Sequence, residues 1–454
     1  MTQADVLNLG EGTLKEKVLS EVLEAAALLG NREYVKKNVL EETEKEESHP
    51  LLGIVWGDLS LSHGLPGLCV LFGQLDRINP ERGYDEIGHQ YMLDMKAKID
   101  EDGIQQLSLW GGLAGILMGA KALSRDGTRY THFTDQMLDL FMSHYKLQLD
   151  ASMKAISDGV DMFHYDVIQG WSGIGRSLLY FTEQPRIRGA VEDILKYCVL
   201  LTQPKSVDGQ FVPGWHIPSR FLIHEHEREL YPNGLFNCGL SHGIPGVLAF
   251  LSISYEQGVI VQGHQEAIDT IAHWLIQWAR EDEYGIFWPA CISWEEQITG
   301  TYVRETKSRE AWCYGSPGVA RSLWLAGVAL EQQEYKDIAM SAMLATFKRP
   351  DQEWNLFSPI FCHGWSGLLQ IAYRMWRESG HKDLRRECDR LSQRILESRQ
   401  SDAPFKYTDV VPIDGKFIEI SKPGLLEGLA GISLALLDAM FESGDDWDSI
   451  FLIK

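Results

Sequence analysis

Apolar residues are concentrated in seven stretches of the chain, and each stretch follows the same short pattern of residues. The pattern is Gly, any residue, Pro/Ala/Ser, Gly, then Leu/Ile/Val, and its first glycines are Gly64, Gly112, Gly170, Gly243, Gly315, Gly364 and Gly428. The stretches that follow are apolar on nearly all sides, as in VLAFLSIS after Gly246, which is typical of fully buried helices. The pattern therefore predicts seven buried helices, each begun by a tight glycine turn.

Amphipathic stretches lie between these patterns. Their apolar residues recur at helical spacing, and charged residues occupy the opposite face. They are residues 190–201, 265–278, 336–347 and 384–396. Buried and half-exposed helices that alternate and stack in order form either an open superhelix or a closed ring. Because small residues begin every buried helix, where helices converging on one axis leave little room, the sequence favours the ring. We expect an all-α fold, an α/α toroid of seven helical hairpins.

The longest intervals between patterns follow the third and fourth repeats. Residues 207–233 and 282–306 are rich in Trp, Gly and Pro, so we expect insertions made of loops or short strands rather than helices.

The N-terminal segment differs from the repeats. Thr13 and Glu16 have the spacing of a capping box and predict a helix that continues to Leu29. The charged run at residues 41–47 predicts a solvated linker. We expect residues 1–50 to form an N-terminal helix and a charged lead-in, and residues 51–454 to form the toroid domain.

Composition narrows the class of protein. The 454 residues include 42 Lys+Arg and 64 Asp+Glu, so the net charge is −22, which argues against binding to nucleic acid or to anionic lipid. The chain starts without the basic and apolar regions of a signal peptide, and its longest uncharged stretch is broken by Pro and Asn. We expect a cytoplasmic protein without an intrinsic membrane anchor, whose seven cysteines are buried thiols or metal ligands.

Candidate catalytic and metal-binding residues are expected at the two positions before each pattern, because the residues at this register differ from repeat to repeat. Repeats five and six are neighbours in the predicted ring, and they place Cys313 and Cys362 at the same position, with His363 following. Two thiolates and one imidazole suit Zn²⁺ and leave a fourth tetrahedral position open, which is typical of a catalytic metal site. The alternative is that small buried cysteines simply fill tight turns.

The same register holds other candidates. His242 occupies the position of His363 in the fourth repeat, where it is a candidate acid or base. His63 has the same position in the first repeat, but the shared SHG fragment is equally compatible with a simple turn. Asp166 and Arg309 lie just upstream of two of these turns. The pattern leaves open whether their side chains face the site or the solvent.

Some aromatic and histidine residues have a structural alternative. Trp312 and Tyr314 flank a proposed metal ligand, but they also suit packing at a convergent helix end. His224 and His226 could bind a metal as a pair. They lie in a strongly charged insertion, so a solvated loop is the favoured interpretation.

Four motifs together resemble those of a known family. AWCYGSPG from Ala311, FCHGWSG from Phe361, GLSHGIPG from Gly239 and YDVIQG from Tyr165 are similar to the signatures of lanthionine synthetase C proteins, the lantibiotic cyclases. The resemblance extends from about Leu59 to Met440. It implies an α-toroid with one catalytic Zn²⁺ per chain.

The resemblance also implies the roles of individual residues. It assigns the zinc ligands to Cys313, Cys362 and His363, in agreement with the register. It places the catalytic histidine at His242 and the family's Asp at Asp166. Its Arg and Tyr near the metal fall on Arg309 and Tyr314.

The implied reaction is the addition of peptide cysteine thiols to dehydroalanine or dehydrobutyrine, which forms lanthionine or methyllanthionine rings in a precursor peptide. The implied partners are that dehydrated precursor, a dehydratase and an exporter, in a complex at the inner face of the cell membrane. One alternative is an enzyme that adds glutathione to dehydroamino acids. A protein prenyltransferase subunit is disfavoured, because those sites look different and typically have an Asp ligand. A prenyl diphosphate also demands a basic pocket, whereas this chain is acidic. The non-enzyme alternative is a peptide-binding scaffold with structural zinc, which a fourth protein ligand would support.

Overall fold

The computed structural model describes residues 12–48, 54–303, 308–413, 415–441 and 446–454. Helices dominate these ranges. They are α1 Leu14–Gly30, α2 Arg32–Ser48, α3 Leu65–Ile78, α4 Tyr84–Asp102, α5 Leu113–Ala122, α6 Thr131–Asp158, α7 Trp171–Leu178, α8 Pro185–Leu201, α9 Glu225–Leu230, α10 Ile244–Glu256, α11 His264–Gln277, α12 Trp294–Thr299, α13 Ser316–Ala329, α14 Gln333–Lys348, α15 Trp365–Ser379, α16 Lys382–Glu397 and α17 Leu429–Phe441.

The strands are short and pair only in twos within the described residues. They are β1 Lys205–Val207, β2 Gln210–Val212, β3 Leu235–Asn237, β4 Arg280–Asp282, β5 Gly285–Phe287, β6 Cys291–Ser293, β7 Asp409–Ile413 and β8 Lys416–Ile420. The antiparallel pairs are β1 with β2, β3 with β6, β4 with β5, and β7 with β8.

All seven predicted buried helices are confirmed. Helices α3, α5, α7, α10, α13, α15 and α17 each begin at the residue after the first glycine of a pattern. The second glycine is required because the helix start packs on an upstream carbonyl. A Cβ at Gly173 would lie 2.0 Å from the Val167 oxygen, and one at Gly431 would lie 2.0 Å from the Leu425 oxygen. Gly315 in addition has φ of 104°, a conformation that favours glycine.

The four predicted amphipathic helices are confirmed as α8, α11, α14 and α16. In α16 the buried apolar residues are Leu384, Cys388, Leu391 and Ile395. Their spacing of three and four residues places them on one face.

Other predictions for local structure were wrong. Residues 41–47 lie in α2, not in a linker. Glu42 is 2% exposed and accepts the backbone N–H of Ser421 at 3.0 Å. Each insertion contains strands and also a six-residue helix, α9 or α12. Ser293 and Glu296 form a capping box that begins α12.

Some predictions lie partly outside the described residues, namely those on residues 1–11, 49–53 and 304–307. The predicted N-terminal helix is confirmed as α1, with Thr13 and Glu16 forming the capping box. The hairpin of β7 and β8 was not predicted.

The chain divides into two compact units. The first comprises the described residues of Met1–Gln105, Gly115–Thr134 and Leu356–Trp447, and the second comprises those of Gln106–Ala114, Asp135–Asn355 and Asp448–Lys454. In the first unit, α17 packs against α1, α3 and α15. In the second unit, α10 packs against α7, α11 and α13, and α13 packs against α14. Each unit thus buries the helices that follow the glycine patterns.

Candidate catalytic and metal-binding residues

Backbone hydrogen bonds join the turns that precede the buried helices. In the second unit, Val167 N–H donates to the carbonyl of Ser241 at 3.0 Å, and Ser241 N–H donates to that of Cys313 at 3.2 Å. In the first unit, Cys362 N–H donates to the carbonyl of Leu426 at 3.0 Å. Within each unit, therefore, the turns of consecutive repeats lie side by side.

In the second unit, this arrangement brings together two predicted catalytic residues. Nδ1 of His242 lies 2.6 Å from Oδ2 of Asp166, and the Asp166 side chain is fully buried. Oδ1 of Asp166 accepts the backbone N–H groups of Gln169 and Gly170, each at 2.7 Å. A carboxylate can only accept, so Nδ1 of His242 donates. Nε2 is then the nitrogen able to exchange a proton with a substrate.

Electrostatics favour the charged form of this histidine. Burial disfavours the imidazolium, but the hydrogen bond and the negative charge of Asp166 outweigh burial and raise the pKa of His242 above its ordinary value. The ring is partly accessible, with 27% of its side chain exposed. His242 is therefore suited to act as a general acid.

Tyr314 packs beside this pair. Its ring centroid lies 6.4 Å from that of His242, and its hydroxyl accepts a hydrogen bond from Nδ2 of Asn237 at 3.0 Å. Burial raises the pKa of Tyr314 above that of an ordinary phenol, so its hydroxyl keeps its proton. A Cβ at Gly239 would lie 2.6 Å from the ring, so glycine is needed there.

The second unit also holds Cys313, Trp312 and Arg309. Cys313 is 5% exposed, and its carbonyl accepts the hydroxyl of Ser241 at 3.3 Å as well as the backbone N–H. Trp312 is buried, and its indole donates to the carbonyl of Phe451 at 2.9 Å. Trp312 thus has the packing role that the sequence left open. Arg309 is exposed, and in the described part of the chain no ion pair joins it to Asp166.

In the first unit, Cys362 and His363 lie beside Glu427, which the sequence did not single out. One potential ligand atom from each of the three residues lies within 4.8 Å of the others. Glu427 occupies the register position of His363 in the seventh repeat, so the register itself carried the signal. These three residues are called the first-unit cluster below.

A buried ionic network supports the first-unit cluster. Oδ1 of Asp409 lies 3.3 Å from Nε2 of His363 and accepts the hydroxyl of Ser358 at 2.9 Å. Nζ of Lys422 lies 3.3 Å from Oδ2 of Asp409 and 2.8 Å from Oε2 of Glu427. Asp409 begins β7, and no repeat pattern or motif predicted Asp409 or Lys422.

The charges of the network stabilise one another. Burial opposes the carboxylate of Asp409, but His363 and Lys422 hold its pKa well below the usual range. Burial likewise opposes the ammonium of Lys422, but Glu427 and Asp409 raise its pKa. A carboxylate that accepts from one imidazole nitrogen leaves the other nitrogen able to bind a metal. With the thiol of Cys362, this donor chemistry fits Zn²⁺.

The remaining histidine candidates differ in their burial. His63 is 8% exposed, and its Nε2 lies 4.0 Å from Oε2 of Glu427. Burial lowers the pKa of His63, so the ring is neutral near pH 7. His224 and His226 are exposed at the start of α9, with stacked rings 5.5 Å apart. No potential metal-binding group within the described ranges includes them.

Comparison with known proteins agrees with these observations. The family model described as lanthionine synthetase C-like protein matches residues 55–452. The chain belongs to this family. The nisin biosynthesis protein NisC of Lactococcus lactis subsp. lactis is 24% identical over 419 residues, which cover 90% of this chain and 93% of that protein. The solved structure of a nisin cyclase is similar with a TM-score of 0.76 at 24% identity, and the match covers 92% of this chain and 97% of that one.

The likeness to the nisin cyclase shows the fold. The class expected from the sequence, an all-α protein of the α/α-toroid type, is therefore confirmed. Within the described residues, every helix is too short or too polar to cross a membrane.

Proposed function

We propose that this protein is a zinc-dependent lantibiotic cyclase. It would join cysteine thiols of a dehydrated precursor peptide to dehydroalanine or dehydrobutyrine and so form lanthionine or methyllanthionine rings. The hydrogen bond between His242 and Asp166 carries the proposal, because it provides an oriented general acid in a chain of the lanthionine synthetase C-like family. The relative named for nisin biosynthesis supports a precursor of a lantibiotic as the substrate class.

The proposed metal ligands are those of the sequence prediction, Cys313, Cys362 and His363. The support from the first unit is the pairing of a thiol with an imidazole that Asp409 orients. When bound, the zinc would supply a Lewis acid that lowers the pKa of the substrate thiol, which is otherwise about 8.5. One zinc per chain is expected.

The chain's own residues would then handle the proton. The substrate sulfur forms a bond to the β-carbon of the dehydroamino acid, and the C=C electron pair moves toward the α-carbon and its carbonyl. Nε2 of His242 donates a proton to the α-carbon, while Asp166 holds the ring and stabilises its charge. The thiol proton leaves to solvent and His242 recovers a proton from solvent. The peptide therefore loses one proton and gains one, and its mass is unchanged. Arg309 and Tyr314 are proposed to stabilise the enolate oxygen.

Ring formation can be tested with purified protein and a dehydrated precursor peptide. Because cyclisation does not change the mass, the readout is protection of the peptide thiols from alkylation, followed by mass spectrometry. The wild type should protect the thiols, and His242→Ala should do so at least about 100-fold more slowly while it keeps its zinc. His144→Ala, which removes an exposed histidine of the same unit, is the matched control. Thiols that stay open to alkylation with wild-type protein would reject the cyclase.

The same assay separates the alternatives. With glutathione present, an enzyme that adds glutathione to dehydroamino acids would increase the peptide mass by one glutathione per site. A scaffold would bind the peptide and leave its mass and thiols unchanged.

The expected dehydratase and exporter partners, and a cytoplasmic location at the membrane's inner face, come from the family resemblance. Co-purification from cells that express all the components tests them.

A further inference from the structure

Glu427 lies where it could become an additional metal ligand. One of its carboxylate oxygens is within 4.8 Å of ligand atoms of both Cys362 and His363. The backbone bond from Cys362 to Leu426 holds the two turns together. In a tetrahedral zinc site the ligand atoms are about 3.5 Å apart. At these separations Glu427 is a candidate protein ligand, and its binding to a metal ion would close the site to a substrate thiol.

Lys422 opposes that binding. Its Nζ lies 2.8 Å from Oε2 of Glu427 and 3.3 Å from Oδ2 of Asp409, and its side chain is 0% exposed. A buried ammonium needs its anionic partners, because water cannot solvate it. If Glu427 turned to a metal ion, Lys422 would lose part of its charge compensation, and the metal ion and the ammonium would share the Glu427 carboxylate. Their repulsion is several-fold stronger in a buried site than in water.

Neighbouring groups do not take over this role. The other carboxylate oxygen of Asp409, Oδ1, already contacts His363 and Ser358. His63 also faces Glu427, but at 4.0 Å its Nε2 is beyond hydrogen-bond distance. Of these groups in the described part of the chain, Lys422 is the one that holds the Glu427 carboxylate by a short contact.

We propose that Lys422 holds the Glu427 carboxylate away from the metal and so keeps the fourth metal position open for a thiol. Lys422 is then a positioning residue, and Glu427 is a potential ligand that the fold restrains. The inference rests on the metal-binding part of the proposed function. It also runs against the scaffold alternative, which a fourth ligand from the protein would support.

The test uses Co²⁺ in place of zinc in the full-length protein, with a cysteine-containing peptide as the added thiol. In the wild type, the peptide should add a sulfur-to-cobalt absorption band. In Lys422→Met, Glu427 should bind the metal, so the d–d spectrum should change before the peptide is added, and the peptide should add little or no band. Chelator competition should show zinc bound at least 10-fold more tightly than in the wild type. Lys422→Met/Glu427→Gln should restore the response to the thiol.

Two control variants keep the test decisive. Lys416→Met removes an exposed lysine of β8 and should behave as the wild type. Lys422→Arg retains the charge and should keep the thiol response, which separates the role of the charge from general stability. Circular dichroism checks that each variant is folded, and if Lys422→Met is not folded, Lys422→Gln replaces it.

Several outcomes would overturn the inference. A 10-fold loss of zinc affinity or a changed cobalt spectrum in Glu427→Gln alone would mean that Glu427 is a ligand in the wild type. An unchanged thiol response in folded Lys422→Met, or in Lys422→Gln, would mean that Lys422 does not restrain it. A folded wild type that binds neither metal would instead reject the zinc proposal itself, so the two failures are distinguishable.

Discussion

Asp166 fixes the orientation of His242 through a 2.6 Å contact between Oδ2 and Nδ1. The other oxygen of the same carboxylate accepts two backbone N–H groups at 2.7 Å. The carboxylate therefore cannot rotate without breaking bonds at the turn before α7. The turn of one repeat thus sets the ring position and the charge of a histidine in the next.

Asp166→Asn should impair the acid function of His242. The two backbone N–H groups require an oxygen at the position of Oδ1, so the new NH₂ group must face His242. Two donors then meet whenever the imidazole is protonated, and the negative charge is lost. We expect the pKa of His242 to fall and ring closure to slow by about 100-fold. NMR titration of the His242 ring and the alkylation assay measure these effects.

Zinc content should stay at one per chain in Asp166→Asn, since the change lies outside the proposed ligand set. An unchanged His242 pKa, in a folded variant, would show that the carboxylate does not control the charge of this ring.

Asp409→Asn should weaken zinc binding. Asp409 contacts Nε2 of His363, and hydrogen bonds of this kind fix the ring and raise the basicity of the ligating nitrogen. Loss of such a partner typically lowers metal affinity by about 10- to 100-fold. Chelator competition measures the affinity. Glu419→Gln, which changes an exposed carboxylate of the same hairpin, should leave it unaltered, and equal affinities for the two variants would contradict the orienting role.

The repeat pattern predicted the fold well because one physical constraint recurs. Each helix start packs on an upstream carbonyl, as at Gly173 and Gly431, so glycine marks every start. The positions just before each pattern place their side chains beside these turns. The pairing of His242 with the turn that carries Asp166 could therefore be predicted from the sequence. Glu427 occupies the same register, but it was missed because only Cys and His were considered as ligands.

Other features could not be predicted because they depend on long-range packing. Lys422 and Asp409 reach the first-unit cluster through the hairpin of β7 and β8, whose sequence has no repeat counterpart. The run at residues 41–47 is charged enough for a linker. It is helical instead, and Glu42 in this run is buried and accepts the backbone N–H of Ser421, far away in the sequence.

The stability of the protein should fall as the pH is lowered from about 6.5 to 4, with His216 as one cause. His216 is 1% exposed, and its Nε2 donates to the carbonyl of Asn233 at 2.8 Å. Burial lowers its pKa to about 4. The positive charge of Lys205 lowers the pKa further, and the hydrogen bond to Asn233 opposes the shift. In this window the unfolded chain binds a proton that the folded chain does not, so unfolding becomes more favourable as the pH falls. The contribution is up to about 3 kcal/mol.

His216→Gln removes this titration. Urea unfolding of both proteins at a series of pH values should give a flatter dependence of the free energy of unfolding for the variant. Parallel curves for the two proteins would contradict the assignment to His216.

Two glycine-to-alanine variants should change stability in opposite directions. A Cβ at Gly173 would lie 2.0 Å from the Val167 oxygen, in the backbone of the turn that also carries Asp166, so the turn or α7 must move. We expect Gly173→Ala to lose about 3 kcal/mol or more, as for other severe overpacking. Gly189 lies in α8 of the same unit, and a Cβ there would meet no atom within 4 Å. Gly189→Ala should gain about 0.5–1 kcal/mol, because alanine loses less backbone entropy in a helix. Urea unfolding at pH 7 measures both changes, and a neutral Gly173→Ala would mean that the helix start does not depend on this close approach.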